Sequence, residues 1–419
     1  MIQKQTSKPL SNEAEMTFSG LGIAPRLLDV LLRLGFKTPT SIQYKAIPIA
    51  IEGKDIIGIA QTGTGKTLAF AIPLVQQILK TGKGGGLIIL PTRELALQIN
   101  ESIQKIGRGF GIKTAVLIGG APIRNQVLAI RDNPHIIIGT PGRIIDHLEQ
   151  KTLNLRGVAI LVLDEADRMF DMGFAPQINK ILQVVPKDRQ TMLFSATMPD
   201  GIVKIAINHM KLPVRVEIAK SGTTAENVEH ELFVVKREQR APLLRKLLQE
   251  YKGSVLIFLR TKFGARKTCI DLRNSGISVA EIHSNRTLGQ RREALEGFKL
   301  GRYRVLVATD IASRGIDVKG IELVINFDLP ENPEDYVHRI GRTGRAGMAG
   351  RAISFALPDQ GAKVRDIERL TRLYLPVSKL PDLPPSLKRQ PNALNRFDKS
   401  NYPSHSKRQS GHFGRGKRR

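Results

Sequence analysis

The stretch IAQTGTGKTLAF, Ile59 to Phe70, joins an apolar run, DIIGIA, to an amphipathic segment, TLAFAIPLVQQILK. A glycine-rich turn ending in Lys-Thr between a strand and a helix is the context that a phosphate-binding loop requires. Gly63 and Gly65 let the backbone amides around Thr64 turn inward on phosphate oxygens, at the positive end of the helix that follows. Lys66 is placed to reach the outer phosphates of ATP, and the Thr67 hydroxyl to ligate Mg²⁺. Ala60 stands where such loops usually begin with glycine, a departure that narrows the family and leaves the chemistry intact.

Reading outward from the loop, short apolar runs recur: KDIIGIA, GLIILP, TAVLIGG, HIIIGTP, VAILVLD and QTMLFSA. Amphipathic stretches such as RELALQINESIQKI separate them, which predicts parallel strands with crossover helices. A second series, SVLIFLR, ISVAEIH, RVLVATD, ELVINFD and RAISFAL, begins after the polar stretch near Ser221 to Glu226. The fold class expected is therefore α/β, with two tandem domains, each a parallel sheet flanked by helices. We place an N-terminal extension at 1–17, the first domain at 18–219, a linker at 220–226, the second domain at 227–375 and a disordered basic tail at 376–419. The tail is rich in Pro, Ser, Asn, Lys and Arg, with too few apolar groups to offset the entropy of ordering.

One apolar run ends in acid. In ILVLDEAD the strand stops at Asp164, placed to hold Mg²⁺ through water, and Glu165 follows as the residue to orient or deprotonate an attacking water. An acidic tetrapeptide alone is weak. Downstream of a phosphate loop, at the end of a buried strand, it is specific.

Composition says what else the molecule meets. Lys and Arg number 65 against 38 Asp and Glu, a net charge of +27, and the pI is near 10.4. Such an excess implies a polyanionic partner, nucleic acid first among them. The single cysteine, Cys269, excludes an internal disulfide and a cysteine-rich zinc site, and it reads as a core thiol. No apolar run approaches the roughly 18 residues of a membrane span, and the N-terminus lacks a secretory core. A reducing, cytoplasmic setting without membrane attachment is the expectation.

These residues carry a resemblance. From roughly Phe18 to Leu370 the sequence resembles the DEAD-box RNA helicases, and its compact core is similar to their bacterial RhlE-type branch. The resemblance implies two RecA-like domains, ATP hydrolysis, RNA as substrate and a monomer. In FKTPTSIQ it implies that Phe36 stacks on adenine and Gln43 bonds its edge. PTRELA, the pair Gly119 and Gly120, and TPGR match first-domain RNA contacts, implying Arg93, Gly120, Thr140 and Arg143 on the sugar-phosphate backbone. SAT, Ser195 to Thr197, matches the segment coupling ATP state to strand separation. In VATDIASRGID it implies Thr309 on RNA and Asp317 on the ribose. In HRIGRTGR it implies Arg342 and Arg345 on the γ-phosphate, with His338 bridging motifs.

The arginines also make physical sense. Charge growing on a transferring phosphoryl group needs a nearby cation, worth about 10³ to 10⁵ in rate. HRIGRTGR presents Arg339, Arg342 and Arg345 on consecutive turns, but in the other domain, so hydrolysis requires the domains to close. A simple basic patch on nucleic-acid phosphates is the alternative for that segment taken alone. Aromatics are 5% of the chain and Trp is absent, so base-stacking platforms look scarce and backbone gripping is favoured. The basic tail reads as an auxiliary RNA tether. Two other function classes stay open at this point: a DNA-directed translocase, and an ATP-gated RNA clamp or annealer. One segment departs from the family, which usually has Gly at the position of Ser284 and Gln at that of Leu288, whereas His283 and Arg291 match.

Overall fold

A computed structural model describes residues 16–61, 63–82, 85–218, 228–310, 321–344 and 349–383. The first lobe runs α1 (Pro25–Arg33), α2 (Ser41–Ile51), β1 (Ile56–Ile59), α3 (Lys66–Thr81), β2 (Gly85–Ile89), α4 (Arg93–Gly107), β3 (Thr114–Leu117), α5 (Ile123–Arg131), β4 (Ile136–Gly139), α6 (Pro141–Glu149), β5 (Val158–Leu163), α7 (Ala166–Asp171), α8 (Ala175–Val184), β6 (Gln190–Ser195), α9 (Asp200–His209) and β7 (Val214–Glu217). The second runs β8 (Val228–Val234), α10 (Arg240–Glu250), β9 (Val255–Leu259), α11 (Lys262–Asn274), β10 (Val279–Ile282), α12 (Leu288–Lys299), β11 (Val305–Thr309), β12 (Leu323–Asn326), α13 (Pro333–Ile340), β13 (Gly350–Ala356) and α14 (Gly361–Thr371).

Among the described residues the strands form two sheets, ordered β3-β4-β2-β5-β6-β1-β7 and β10-β11-β9-β12-β13-β8, and the pairings are parallel. The expected fold, parallel strands alternating with helices in two tandem units, is what forms. Both faces of each sheet are covered, which is why the strands read as continuous apolar runs. Alternation sorts them: in β6, Met192 and Phe194 join the core under α2, α3 and α4, while Leu193 joins the opposite core under α6, α8 and α9. Gly58 is required in β1 because a Cβ there would stand 2.5 Å from the Phe194 ring. In the second lobe, Ile257 faces Leu243 and Leu272, with Phe258 turned to Leu295 and Phe298. Cys269 is buried in the first of these cores, the core thiol expected.

Two strands go beyond the sequence reading. β7 and β8 lie inside the two expected domains but outside the apolar runs that predict strands, because VRVE and VEHELFV interleave charge with apolar residues. Each ends its sheet, and edge strands carry such charges. The linker expected at 220–226 lies outside the described residues, as does the tail from 384 onward. Residues 376–383 differ from the expected disordered tail. Leu232 donates its N–H to the Pro376 carbonyl at 2.9 Å, Ser378 donates back to the Leu232 carbonyl at 2.9 Å, and Leu383 packs on the second-lobe core. The chain thus lies parallel beside β8, bridged to it at Leu232 and Val377. No helix among the described residues is long and apolar enough to cross a membrane.

Candidate functional site

The phosphate loop lies between β1 and α3 as the periodicity predicts. Gly63 and Gly65 hold φ of 90° and 92°, a left-handed conformation that side chains disfavour. Lys66 begins α3, is buried, and its Nζ donates to the Ala60 carbonyl at 3.0 Å, so the lysine folds back across its own loop. Thr64 closes the turn by donating Oγ1 to Gln61 O at 2.7 Å. Thr67 follows in the first turn of α3.

Gln43 braces this loop from α2. Its Oε1 accepts from Thr40 N at 2.9 Å and its Nε2 donates to Gly65 O at 2.9 Å, with the residue 4% exposed. The side chain expected on a base edge is thus bonded to the loop. Phe36, expected to stack, is 38% exposed after the turn at Gly35.

β5 delivers the acidic residues. Asp164 is buried, and its Oδ1 accepts from Glu165 N at 2.9 Å. Burial pushes its carboxyl up to about 6 against the pull of Lys66. Glu165 turns the chain in a left-handed conformation, φ 53°, and Arg168 Nη1 donates to its Oε2 at 2.8 Å, both side chains buried. The sequence reading missed Arg168, although its i,i+3 spacing from Glu165 was a signal for the pair. Asp167 ties the site to β6: its Oδ2 accepts from Ala196 N and Thr197 N at 2.9 Å and from Thr197 Oγ1 at 3.1 Å, while Ser195 Oγ accepts from Asp167 N at 3.1 Å. Burial opposes the Asp167 charge, but Lys66, Arg168, His338 and the Thr197 N–H together lower its pKa below the ordinary value. His338 belongs to the second lobe, so the lobes meet here. A small cavity at the seam is lined by Arg168 from one side and Phe258, Asp310, Asp335, His338, Arg339 and Arg342 from the other.

The arginine segment differs from its expected form. α13 ends at Ile340, so only Arg339 is helical, and Arg342 sits in the following turn. Helical spacing stops because Gly341 and Gly344 follow, the latter at φ 65°. Arg339 is structural: it clasps Asp310 at 2.6 and 2.7 Å, donates to Asn326 Oδ1 and Asp328 O, and lies over Phe258. Arg342 is buried against the cavity. Arg345 and Asp317 lie outside the described residues.

The first-lobe residues expected on a nucleic-acid backbone gather at the carboxyl ends of β2, β3 and β4, where ligands of open parallel sheets bind. Arg93 starts α4, and a Cβ at Gly120 would stand 2.4 Å from its Nη1, so the glycine pair makes room for the guanidinium. Thr140 precedes α6, and Arg143 donates to Ala121 O at 3.4 Å and pairs with Asp146. Gln126 grips the same turn, donating to Ile118 O and Ala121 O, and His147 lies 3.3 Å from its Oε1. Burial, with Arg143 nearby, lowers the His147 pKa against the opposing charge of Asp146. Thr309 ends β11, in register with Leu259 of β9. His283 bonds Glu281 at 3.2 Å and is buried.

Mg²⁺ fits the donors present. Asp164 is a buried carboxylate whose charge burial disfavours, and Thr67 adds a hydroxyl; so few protein oxygens suit an ion that keeps several waters and phosphate ligands. Among the described residues no cluster of three His, Cys, Asp or Glu side chains is poised for a metal.

Comparison with known proteins agrees with this arrangement. The family model described as DEAD/DEAH box helicase matches residues 40–205, and that described as Helicase conserved C-terminal domain matches 239–347. The DEAD-box ATP-dependent RNA helicase CshA of Geobacillus kaustophilus is 42% identical over 376 residues, covering 89% of this chain and 80% of its own. Dbp5 of S. cerevisiae, solved with RNA and ADP BeF3, is 31% identical with a TM-score of 0.76, over 84% of this chain and 93% of its own. Mss116p, solved with ssRNA and AMP-PNP, is 29% identical with a TM-score of 0.80, over 88% of this chain and 81% of its own. These folds are tandem RecA-like domains, and so is this one. Relatedness at this level, sustained through both lobes, makes the chain a member of the DEAD-box RNA helicase family.

Proposed function

We propose that this chain is an RNA-dependent ATPase that locally opens or remodels RNA duplexes, with ATP and RNA jointly drawing its two lobes together. One observation carries the reading: Asp167 of the first lobe, which binds Ser195 and Thr197, lies in the field of Lys66 of the phosphate loop, and its neighbour Arg168 shares the seam cavity with His338 and Arg342 of the second lobe. Nucleotide chemistry, the coupling segment and the lobe contact therefore meet around one carboxylate.

In this reading Lys66, Gly63, Thr64 and Gly65 hold the phosphates, and Phe36 and Gln43 the adenine. Thr67 and Asp164 hold Mg²⁺, which when bound neutralises charge growing on the phosphate oxygens. Glu165 orients the attacking water, itself oriented by Arg168. Arg342 and Arg345 stabilise the transferring phosphoryl group, and Asp317 meets the ribose. Arg93, Gly120, Thr140, Arg143 and Thr309 grip the RNA backbone. Donors to phosphate and sugar seat a strand without reading its bases, and a contacted 2′-hydroxyl discriminates RNA from DNA. The basic tail adds a second, nonspecific hold, and the protein works as a cytoplasmic monomer. A CshA-like placement has better support than the RhlE-type branch, since CshA helicases are similar along 89% of this chain.

The test is turnover with RNA, with DNA and with neither, for the native chain and for Glu165→Gln. RNA alone should stimulate, and the variant should keep ATP-dependent RNA binding while losing turnover. Equal stimulation by DNA would favour a translocase, and unchanged unwinding by the variant would refute the role given to Glu165. Binding of single strands should weaken with salt at a log–log slope near about −0.7 per neutralised phosphate.

A further inference from the structure

α11 opens with an exposed aromatic ring. Thr261 caps the helix by accepting from Gly264 N at 3.0 Å, and Phe263 follows, 71% exposed. The core face of α11 is Ala265, Cys269 and Leu272, and Phe263 sits roughly 160° round the helix from Ala265, so it has no way into the core. Arg266, Lys267 and Ile270 share its side at helical spacing and are exposed too. The Lys262 ammonium stands 5.4 Å from the ring centroid.

A solitary exposed apolar residue means little. This one is distinguished by where it stands. Leu259, four residues earlier, pairs in register with Thr309, so the start of α11 lies beside the end of β11 at the carboxyl edge of the second sheet. A flat apolar ring ringed by cations suits a ligand that is flat, apolar on its faces and anionic along its edge. A nucleotide has that character, and stacking on an aromatic side chain tolerates every base.

We propose that Phe263 is a stacking platform for one unpaired base of the strand whose backbone passes Thr309, with Lys262, Arg266 and Lys267 on the flanking phosphates. The proposal rests on the RNA reading above and deepens it. The second lobe then grips its strand by a base as well as by sugar and phosphate, and the low aromatic content understates its hold on single strands.

The chain has no tryptophan, so Phe263→Trp in the full-length protein carries a sole tryptophan at the site, excitable selectively at the red edge where the six tyrosines do not absorb. A 12-nucleotide oligo(A) should quench its emission, and an abasic oligomer of equal length should not. Phe263→Ala should weaken oligo(A) binding about tenfold, with Phe263→Tyr near the native value and abasic binding the same in all three. Unchanged oligo(A) affinity in Phe263→Ala, while RNA still stimulates native ATPase, overturns the platform and spares the function. Quenching that follows protein concentration without RNA also overturns it, by assigning the ring to a second copy. Absence of any RNA stimulation in the native chain would instead overturn the function beneath it.

Discussion

Glu94 of α4 and Arg291 of α12, 197 positions apart in the chain, meet at 2.7 Å across the seam between the lobes, and both are buried. Leu288, one turn earlier in α12, packs on the first-lobe core. Its position is one of the two that depart from the family, and the apolar side chain there contributes contact area between lobes. The partnership is imperfect, since Glu94 Oε1 and Arg291 Nε find no partner among the described residues. Burial lowers the Arg291 pKa and Glu94 opposes that effect.

Removing either member leaves a buried charge uncompensated, a loss of about 3–5 kcal/mol in interiors generally. Glu94→Ala and Arg291→Ala should each drive the lobes apart, seen as a larger radius of gyration in solution scattering and a fall in RNA-stimulated turnover. The reversal pair Glu94→Arg with Arg291→Glu should recover part of both. Unaltered scattering in the single variants would show that the bridge does not hold the seam.

Gly65→Ala should disable the phosphate loop twice over. The left-handed backbone penalises a side chain by about 1–2 kcal/mol, and the new Cβ would stand 2.3 Å from Gln43 Nε2. Adding Gln43→Ala removes the nearest collision but leaves the backbone penalty and a 2.9 Å approach to Thr40 Oγ1. Melting temperature should therefore fall in Gly65→Ala and recover only partly in the pair. Full recovery would mean that the conformation carries no strain.

Asp164 links stability to pH. Its folded pKa, about 6, lies above the ordinary carboxylate value because burial disfavours the charge. Between those values the native state binds more protons than the unfolded one, so this group's contribution to stability declines as pH rises and is most unfavourable above about 6. Asp164→Asn should raise the melting temperature at pH 8 and raise it less at pH 5, while abolishing turnover. A gap that widens towards pH 5 would contradict the assignment.

Asp167 and Thr197 are partners of unequal weight. Thr197→Val removes one of three bonds to Asp167 Oδ2, a loss of about 1 kcal/mol. Asp167→Ala orphans two main-chain N–H groups as well, and should destabilise the first lobe at least twice as much in urea titration. Equal losses would place the value of the contact in the hydroxyl alone.

The sequence carries much of this. Strands buried on both faces are legible as apolar runs, and the loop around Lys66 and the acidic end of β5 are local in the chain. What stays hidden is of two kinds. β7 and β8 mix charges into their pattern because an edge strand lies half in solvent, and Pro376 to Ser378 join β8 through main-chain bonds that no side chain announces. Long-range partners are equally silent: nothing in RELALQ pairs Glu94 with Arg291, and nothing in HRIGRTGR says that Arg339 is buried on Asp310 while Arg342 is turned to the seam. Helical spacing promised equivalent arginines, and the glycines of that segment ended the helix between them.

The Arg339 clasp has a mechanical consequence. Asp310 directly follows Thr309, and the guanidinium locked to it lies three residues before Arg342. A bidentate ion pair backed by Asn326 and the Asp328 carbonyl is a rigid strut, so the tip of β11 and the turn bearing Arg342 swing together. Inside the second lobe there is no slack between the point that a strand would tug and the cation that faces the seam.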